Sequence, residues 1–286
     1  MDKFDVIEKF SDGTVIHHGK SNDRAYLIKK GKIEVDKLIC QLKDLAKKNS
    51  YSKIFAKSNL ESLSYFIDQD FTVEAIIPQY YDGQSDLFWT CCYLNDNRPD
   101  EHKALQQNYK EVLALAKSKQ LEGDEVSLPD NNEVIIRKCT PNDTAEMVAI
   151  YKKIFASYPF PIYDENYLIK TMHDSIDYYC AEKNGKIIAL GTAELDFDSL
   201  SAEMTDFATL PESRGLNIAL QILAEMEKKS AQKGIKTFFT IARAISPAMN
   251  ITFAKHGYKY GGRLKNNTNI SGSIESMNVW YKSASS

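Results

Sequence analysis

The sequence predicts a mixed α/β fold, with a central sheet carrying helices on both faces. Three observations predict it. Strand-like and helix-like runs alternate along the whole chain. Asn184-Gly185, between two β-rich runs, is a strong hairpin signal. Ala202–Leu210, Pro211–Ala219 and Ile218–Lys233 read as a strand, a tight turn and an amphipathic helix.

The first elements are two short strands, Gly13–Gly19 and Ala25–Lys29, around a turn at Ser21-Asn22-Asp23. Asp36–Lys48 is a helix, because Leu38, Ile39, Leu42, Leu45 and Ala46 recur at helical spacing. Lys53–Ala56 is a strand, and Asn59 caps a helix with Leu60, Leu63, Phe66 and Ile67. Strands Phe71–Ile77 and Leu87–Leu94 flank a turn at Asp82-Gly83, and Glu101–Lys119 is a helix. Leu121–Asn132 is acidic, holds Gly and Pro and has no periodicity, so it reads as a linker. Two domains are expected, 1–125 and 133–286, which suits 286 residues at about 150 per domain.

The second domain opens with a strand at Val134–Cys139 and a helix after Pro141 carrying Met147, Val148, Ile150, Tyr151 and Ile154. Tyr158–Tyr163 is an aromatic loop stiffened by two prolines. A short helix near Asn166–His173 precedes the hairpin strands Tyr178–Lys183 and Lys186–Glu194. After the Ile218–Lys233 helix, Gly234 serves as a C-cap. Strand Ile235–Ala242, helix Met249–Lys255 and strands Tyr258–Leu264 and Ile274–Lys282 complete the chain.

Composition narrows the function. The chain is 43% hydrophobic and 26% charged, an ordinary globular balance. A net charge of -3 provides no basic field for nucleic acid. No apolar run approaches the roughly 18 residues of a membrane span. The first ten residues are acidic and lack an apolar core, so no signal peptide and a cytoplasmic location are expected. The five cysteines form no C-x-x-C pair and the five histidines show no ligand spacing, so no metal site is expected. His17 and His18 are adjacent on a strand, point to opposite faces and read as structural.

The turn before the Ile218 helix carries the chemistry. A helix start offers unpaired N–H groups and the positive end of the dipole, which favour phosphate. Arg214 adds a fixed charge, and Gly215 permits close backbone approach.

With P-E-S-R-G-L-N-I-A at Pro211, A-Q-K-G-I-K-T-F-F-T at Ala231 and F-A-K-H-G-Y at Phe253, residues 133–282 resemble the GNAT superfamily of coenzyme-A-dependent N-acetyltransferases. Arg214 and Ala219 fit the ends of that family's acetyl-CoA signature. Asn217 stands where the family has Gly, and Asn is the non-Gly residue most tolerant of left-handed backbone. Three further stretches are similar to the β-lysine N-acetyltransferases, which make an osmolyte: Y-P-F-P-I-Y at Tyr158, A-E-M-T-D-F-A-T-L-P-E at Ala202, and the run from Asn266. The acceptor, the terminal N6 amine of β-lysine, follows from this resemblance alone.

The resemblance implies an acyl-CoA N-acyltransferase fold, acetyl-CoA as co-substrate and transfer to a small-molecule amine. It implies a cofactor site at Phe207, Ala208 and Thr209, where the strand splays from its neighbour, and at Arg214, Gly215, Leu216, Asn217, Ile218 and Ala219. Asn250 is a further cofactor candidate, or a helix-surface residue. Glu203 lies where several members place a general base, against the alternative of a solvated edge charge. Asp206 is the other candidate base, or an anchor for an ammonium group. It has opposite strand parity to Glu203 and reaches the same pocket through a bulge alone. Many members carry a Tyr at the position of Phe253, so either Tyr258 donates a proton or the thiolate leaves unaided. Tyr158, Phe160 and Tyr163 cover the acceptor by aromatic contact, or pack on the core. Arg243, Arg263 and Asn269 are the candidates for an acceptor carboxylate.

The first domain echoes the second as a degenerate GNAT-like half. Asp36–Ala56 parallels Leu223–Ala242, Asn59–Phe71 parallels Ser246–Tyr258, and Trp89 parallels Trp280. The Arg/Gly turn is missing there, and Lys30-Gly31-Lys32 is its counterpart. Open sheet edges leave room for a homodimer. Competing functions are acetylation of another small amine or a protein lysine, and a non-catalytic acyl-CoA-binding regulator.

Overall fold

A computed structural model describes residues 4–120 and 133–284, so the expected linker, 121–132, lies outside the described residues. The first half holds β1 (Val6–Lys9), β2 (Val15–Gly19), β3 (Arg24–Lys29), α1 (Val35–Lys48), β4 (Lys53–Ser58), α2 (Leu60–Ile67), β5 (Thr72–Tyr81), β6 (Ser85–Tyr93) and α3 (Lys103–Lys117). The second holds β7 (Ile135–Lys138), α4 (Thr144–Ile154), α5 (Glu165–His173), β8 (Ile176–Lys183), β9 (Lys186–Asp196), β10 (Ser201–Thr209), α6 (Ile218–Gln232), β11 (Thr237–Arg243), α7 (Pro247–Lys255), β12 (Lys259–Ile270) and β13 (Ser273–Ser283).

All the strands join one 13-stranded sheet in the order β1-β2-β3-β4-β6-β5-β12-β13-β11-β10-β9-β8-β7. The order is nearly a palindrome about the β5/β12 contact. β3 pairs parallel with β4 as β10 does with β11, and the neighbouring pairs are antiparallel. The helices between them also correspond, α1 to α6 and α2 to α7. At the centre, Gly262 is set against Ala75. A Cβ on Gly261 or Gly262 would fall about 2.5 Å or 2.3 Å from a β5 carbonyl oxygen, so these glycines permit the halves to meet.

Local sequence explains the elements. In α1, Leu38, Ile39, Leu42 and Ala46 are buried on one stripe. Asn59 accepts from the Ser62 N–H at 3.0 Å and starts α2 with a capping box. Gly234 follows α6 at φ 91, a left-handed position suited to glycine. Two strands depart from expectation. Every residue of β1 is exposed, so the strand shows no alternation of burial. β12 runs past Leu264 to Ile270 through a bulge, and its K-N-N-T-N composition hides a strand.

Strand alternation divides the second-half core. Tyr178 and Cys180 of β8 face the cluster with α4 and α5, whereas Tyr179 and Ala181 face the cluster with α6. In the first half, α1 and α2 cover one face. The other face packs Phe55, Ile77 and Trp89 against Phe239, Met277 and Val279 of the second half. This packing sets β3 and β4 across a cavity from β10 and β11.

The first half has no open counterpart of the Arg/Gly turn. The Gly31 N–H donates to Thr14 Oγ1 at 3.1 Å, and the Lys32 N–H to the Asp12 carbonyl at 2.8 Å. The β1–β2 turn therefore occupies the backbone donors that a second phosphate would need.

Candidate active site

β10 and β11 pair only through Ser201–Thr237, Ala202–Phe238 and Glu203–Phe239, although they continue to Thr209 and Arg243. The sheet opens beyond Glu203 into a wedge. Phe207 lines the opening and packs edge-on to Phe253, with ring centroids 5.6 Å apart. Ala208 is buried and Thr209 half-buried. The Thr209 carbonyl accepts from Arg214 Nε at 3.4 Å.

After a 3-10 turn at Pro211–Ser213, residues 214–217 are exposed. Gly215 has φ 83, and nothing lies within 4 Å of where its Cβ would stand. Asn217 adopts φ 54, the left-handed backbone that its side chain tolerates, and caps α6 without a side-chain hydrogen bond. Its carbonyl accepts from the Leu220 and Gln221 N–H groups at 3.1 Å and 3.2 Å. The N–H groups of Ile218 and Ala219 precede those bonds at the positive end of the helix. The turn is thus an uncapped, accessible anion cradle flanked by Arg214.

Between the halves lies a cavity of about 250 Å³. Its acidic wall is Glu194, Glu203 and Asp206. Glu203 and Glu194 are cross-strand partners on β10 and β9. Register shifts between Thr205 and Ala208, where Asp206 takes φ 53. This bulge cancels the parity difference and turns Asp206 into the same cavity as Glu203. Asp206 accepts a hydrogen bond from the Tyr158 hydroxyl. Burial pushes the Glu203 carboxyl up to about 7, opposed by Lys57 and assisted by the Asp206 charge. Burial also raises Glu194 well above the usual carboxylate range, with Glu203 and Asp206 adding to the effect.

The facing wall comes from the first half: Arg24, Tyr26, Phe55 and Lys57. Lys57 Nζ donates to the Tyr80 hydroxyl at 3.0 Å and lies 5.5 Å from the Trp89 ring centroid. None of these residues was expected at the site from sequence. The available signal was a cation inside each of two apolar strands, R-A-Y-L-I and K-I-F-A-K, where an exposed edge charge is the common alternative.

The aromatic loop divides. Tyr158 and Phe160 line the cavity, and Phe160 stacks on His17 at 5.0 Å. Tyr163 packs instead with the α4/α5 cluster, and its hydroxyl donates to the Phe155 carbonyl at 3.0 Å. Its expected place at the acceptor is therefore corrected.

Asn250 is also corrected. It is 0% exposed. Its Nδ2 donates to the Arg243 and Ser246 carbonyls at 3.0 Å and 2.7 Å, and its Oδ1 accepts from Asn278 and Trp280 at 2.8 Å each. No atom of the amide remains for a cofactor. Tyr258 is buried against Phe253 and does not line the cavity, so it is no proton donor there. The three expected carboxylate binders are occupied too. Arg243 holds Glu275 in a fork at 2.8 Å and 2.6 Å, Arg263 holds Glu101 at 3.0 Å, and Asn269 bonds Asn22 and Ser21.

A splayed parallel strand pair, an anion-ready helix start and a buried carboxylate at the wedge together define an acyl-CoA-dependent N-acyltransferase. The family described as the Acetyltransferase (GNAT) family matches residues 144–258. Together with the full-length relatives below, this match shows that the chain belongs to the GNAT acetyltransferases. It is 34% identical over 269 residues to a Beta-lysine N(6)-acetyltransferase of Methanococcus maripaludis, covering 94% of this chain and 96% of that protein. It is 28% identical to a Beta-lysine N(6)-acetyltransferase of Methanosarcina mazei, covering 73% and 83%. It is 31% identical to N-acetyltransferase YodP of Bacillus subtilis, covering 94% and 95%. The protein is an N-acetyltransferase, and its family uses acetyl-CoA as co-substrate.

Proposed function

We propose that this chain transfers acetyl from acetyl-CoA to the terminal N6 amine of β-lysine by direct attack in a ternary complex. The product is Nε-acetyl-β-lysine, a compatible solute. One observation carries the acceptor: identity to the Methanococcus maripaludis enzyme covers 94% of this chain and therefore both walls of the cavity.

The backbone N–H groups at Ile218 and Ala219, with Arg214, Gly215, Leu216 and Asn217, hold the pyrophosphate of acetyl-CoA. The wedge backbone at Phe207, Ala208 and Thr209 receives the pantetheine and polarises the carbonyl. Acetyl-CoA supplies the activated thioester. Glu203, near neutrality in its own titration, takes a proton from the acceptor ammonium. The free amine attacks the carbonyl carbon, a C–N bond forms and the C–S bond breaks. The electron pair leaves with sulfur, which takes up the second nitrogen proton. Phe253, at the usual Tyr position, donates nothing, so the thiolate leaves unaided. Asp206, held by Tyr158, anchors an ammonium group of the acceptor.

The test is acetyl-CoA turnover across a panel of diamines and amino acids that includes β-lysine. Release of free CoA with β-lysine as the preferred acceptor is expected. Another amine acetylated under conditions where β-lysine is not would overturn the assignment.

A further inference from the structure

The first half brings to the cavity a guanidinium without a counter-ion. Arg24 is 6% exposed and lines the cavity. Its Nη1 donates to the Asn267 carbonyl at 2.5 Å and to Thr268 Oγ1 at 3.4 Å. Its Nε is buried with no hydrogen-bond partner. Among the described residues, no carboxylate comes within ion-pair distance of it. The guanidinium carbon lies 5.4 Å from both the Tyr26 and Phe55 ring centroids, which fix its plane. A cation taken out of water without an anion is unfavourable, and burial pulls the Arg24 pKa down to about 10.

Nearby arginines are committed differently: Arg243 to Glu275, Arg263 to Glu101, and Arg98 to Asp23. Lys57 is held by Tyr80. Glu194, Glu203 and Asp206 on the opposite wall also have no cation within ion-pair distance among the described residues. The two walls hold acidic and basic groups that do not bridge. A ligand with a carboxylate at one end and ammonium groups along its length satisfies both.

We propose that Arg24 binds the carboxylate of the acceptor, so that the first half of the chain selects an amino-acid acceptor over an uncharged or purely cationic amine. This rests on the β-lysine reading and assigns the group that recognises its acid end. The uncompensated guanidinium, with hydrogen bonds only through Nη1, has the charge and the donors that a carboxylate requires. Arg243 on β11 also lines the cavity but is forked to Glu275, and Arg214 lies in the turn assigned to the pyrophosphate.

The test compares β-lysine with its carboxamide, which keeps the skeleton and removes the charge. The wild-type protein should favour β-lysine in kcat/KM on the order of 100-fold, mainly through KM. Arg24→Gln should remove that preference by lowering β-lysine turnover, with the carboxamide changed by less than about threefold. Equal use of both acceptors by the wild-type protein would overturn the proposal without any variant, so misfolding of Arg24→Gln cannot protect it. A preference retained in folded Arg24→Gln would overturn it as well. If the wild-type protein acetylates no β-lysine, the substrate reading fails separately. Arg24 is then tested on the best amino acid of the panel against that acid's own carboxamide, with the same two outcomes.

Discussion

Glu194 and Glu203 stand opposite each other on β9 and β10, two carboxylates on one cavity wall with no cation within ion-pair distance of either among the described residues. Burial raises both, and Glu203 reaches about 7. A carboxyl raised on folding contributes stability that is present below its ordinary range and lost as pH climbs through the folded value. The unliganded protein should therefore lose stability between about pH 4.5 and 7. Glu203→Gln should recover about 1–3 kcal/mol near pH 8 and almost nothing near pH 4.5. Thermal unfolding at the two pH values checks this. An equal gain at both would remove the charge as its source.

The same carboxylate sets the expected pH dependence of catalysis. Glu203 works as a base when ionised, so kcat should rise with pH through about 7. Glu203→Gln should lower kcat on the order of 100-fold near neutrality. The deficit should shrink toward high pH, where the amine loses its proton unaided. Rate profiles of the two proteins check this, and a constant ratio across pH would dismiss Glu203 as the base.

Much of this was legible in the sequence. Asn184-Gly185, the Ala202–Ala219 stretch and the helical periodicities are local signals, and each element they predict is present. The bulge at Asp206 was foreseen as the sole way to bring that residue beside Glu203, but nothing in T-D-F-A announces it. Arg24 and Lys57 were missed because they reach the site by tertiary packing, through strands roughly 150 to 180 residues from Glu203 along the chain. Asn250 was misassigned for a related reason. A polar residue on a short helix looks exposed until the partners that bury it, Asn278 and Trp280, are placed.

Arg214 and Asn217 predict separate behaviours at the cofactor turn. Arg214 is exposed, so Arg214→Ala should leave the fold intact and raise KM for acetyl-CoA about tenfold, with kcat nearly unchanged. Asn217 sits at φ 54, where Gly is at ease and a β-branched side chain is not. Asn217→Gly should be nearly neutral, and Asn217→Val should cost about 1–3 kcal/mol of strain. Initial rates and thermal unfolding on the three variants check both, and an unchanged KM in Arg214→Ala would contradict the phosphate role.

Asn250 should behave as a structural residue. Asn250→Ala leaves the Trp280 indole N–H and the Asn278 amide without their buried acceptor. A loss of about 2–4 kcal/mol is expected, with KM for acetyl-CoA unchanged in the folded fraction. Denaturant unfolding and cofactor kinetics together check this. A raised KM at unchanged stability would restore the cofactor role.

Tyr158 and Asp206 provide the last expectation. Burial raises the Asp206 carboxyl, and the Tyr158 hydroxyl opposes that by donating to it. Tyr158→Phe keeps the ring at the cavity and removes the donor, so Asp206 should hold its proton to higher pH. If Asp206 anchors an acceptor ammonium, KM for the acceptor should rise about tenfold, most strongly at the acidic end of the profile. KM for acetyl-CoA should not move. Measuring acceptor KM against pH in both proteins separates this from a role in departure of the thiolate. Loss of kcat with an unaltered acceptor KM would place the Tyr158 hydroxyl at the sulfur and release Asp206 from the acceptor.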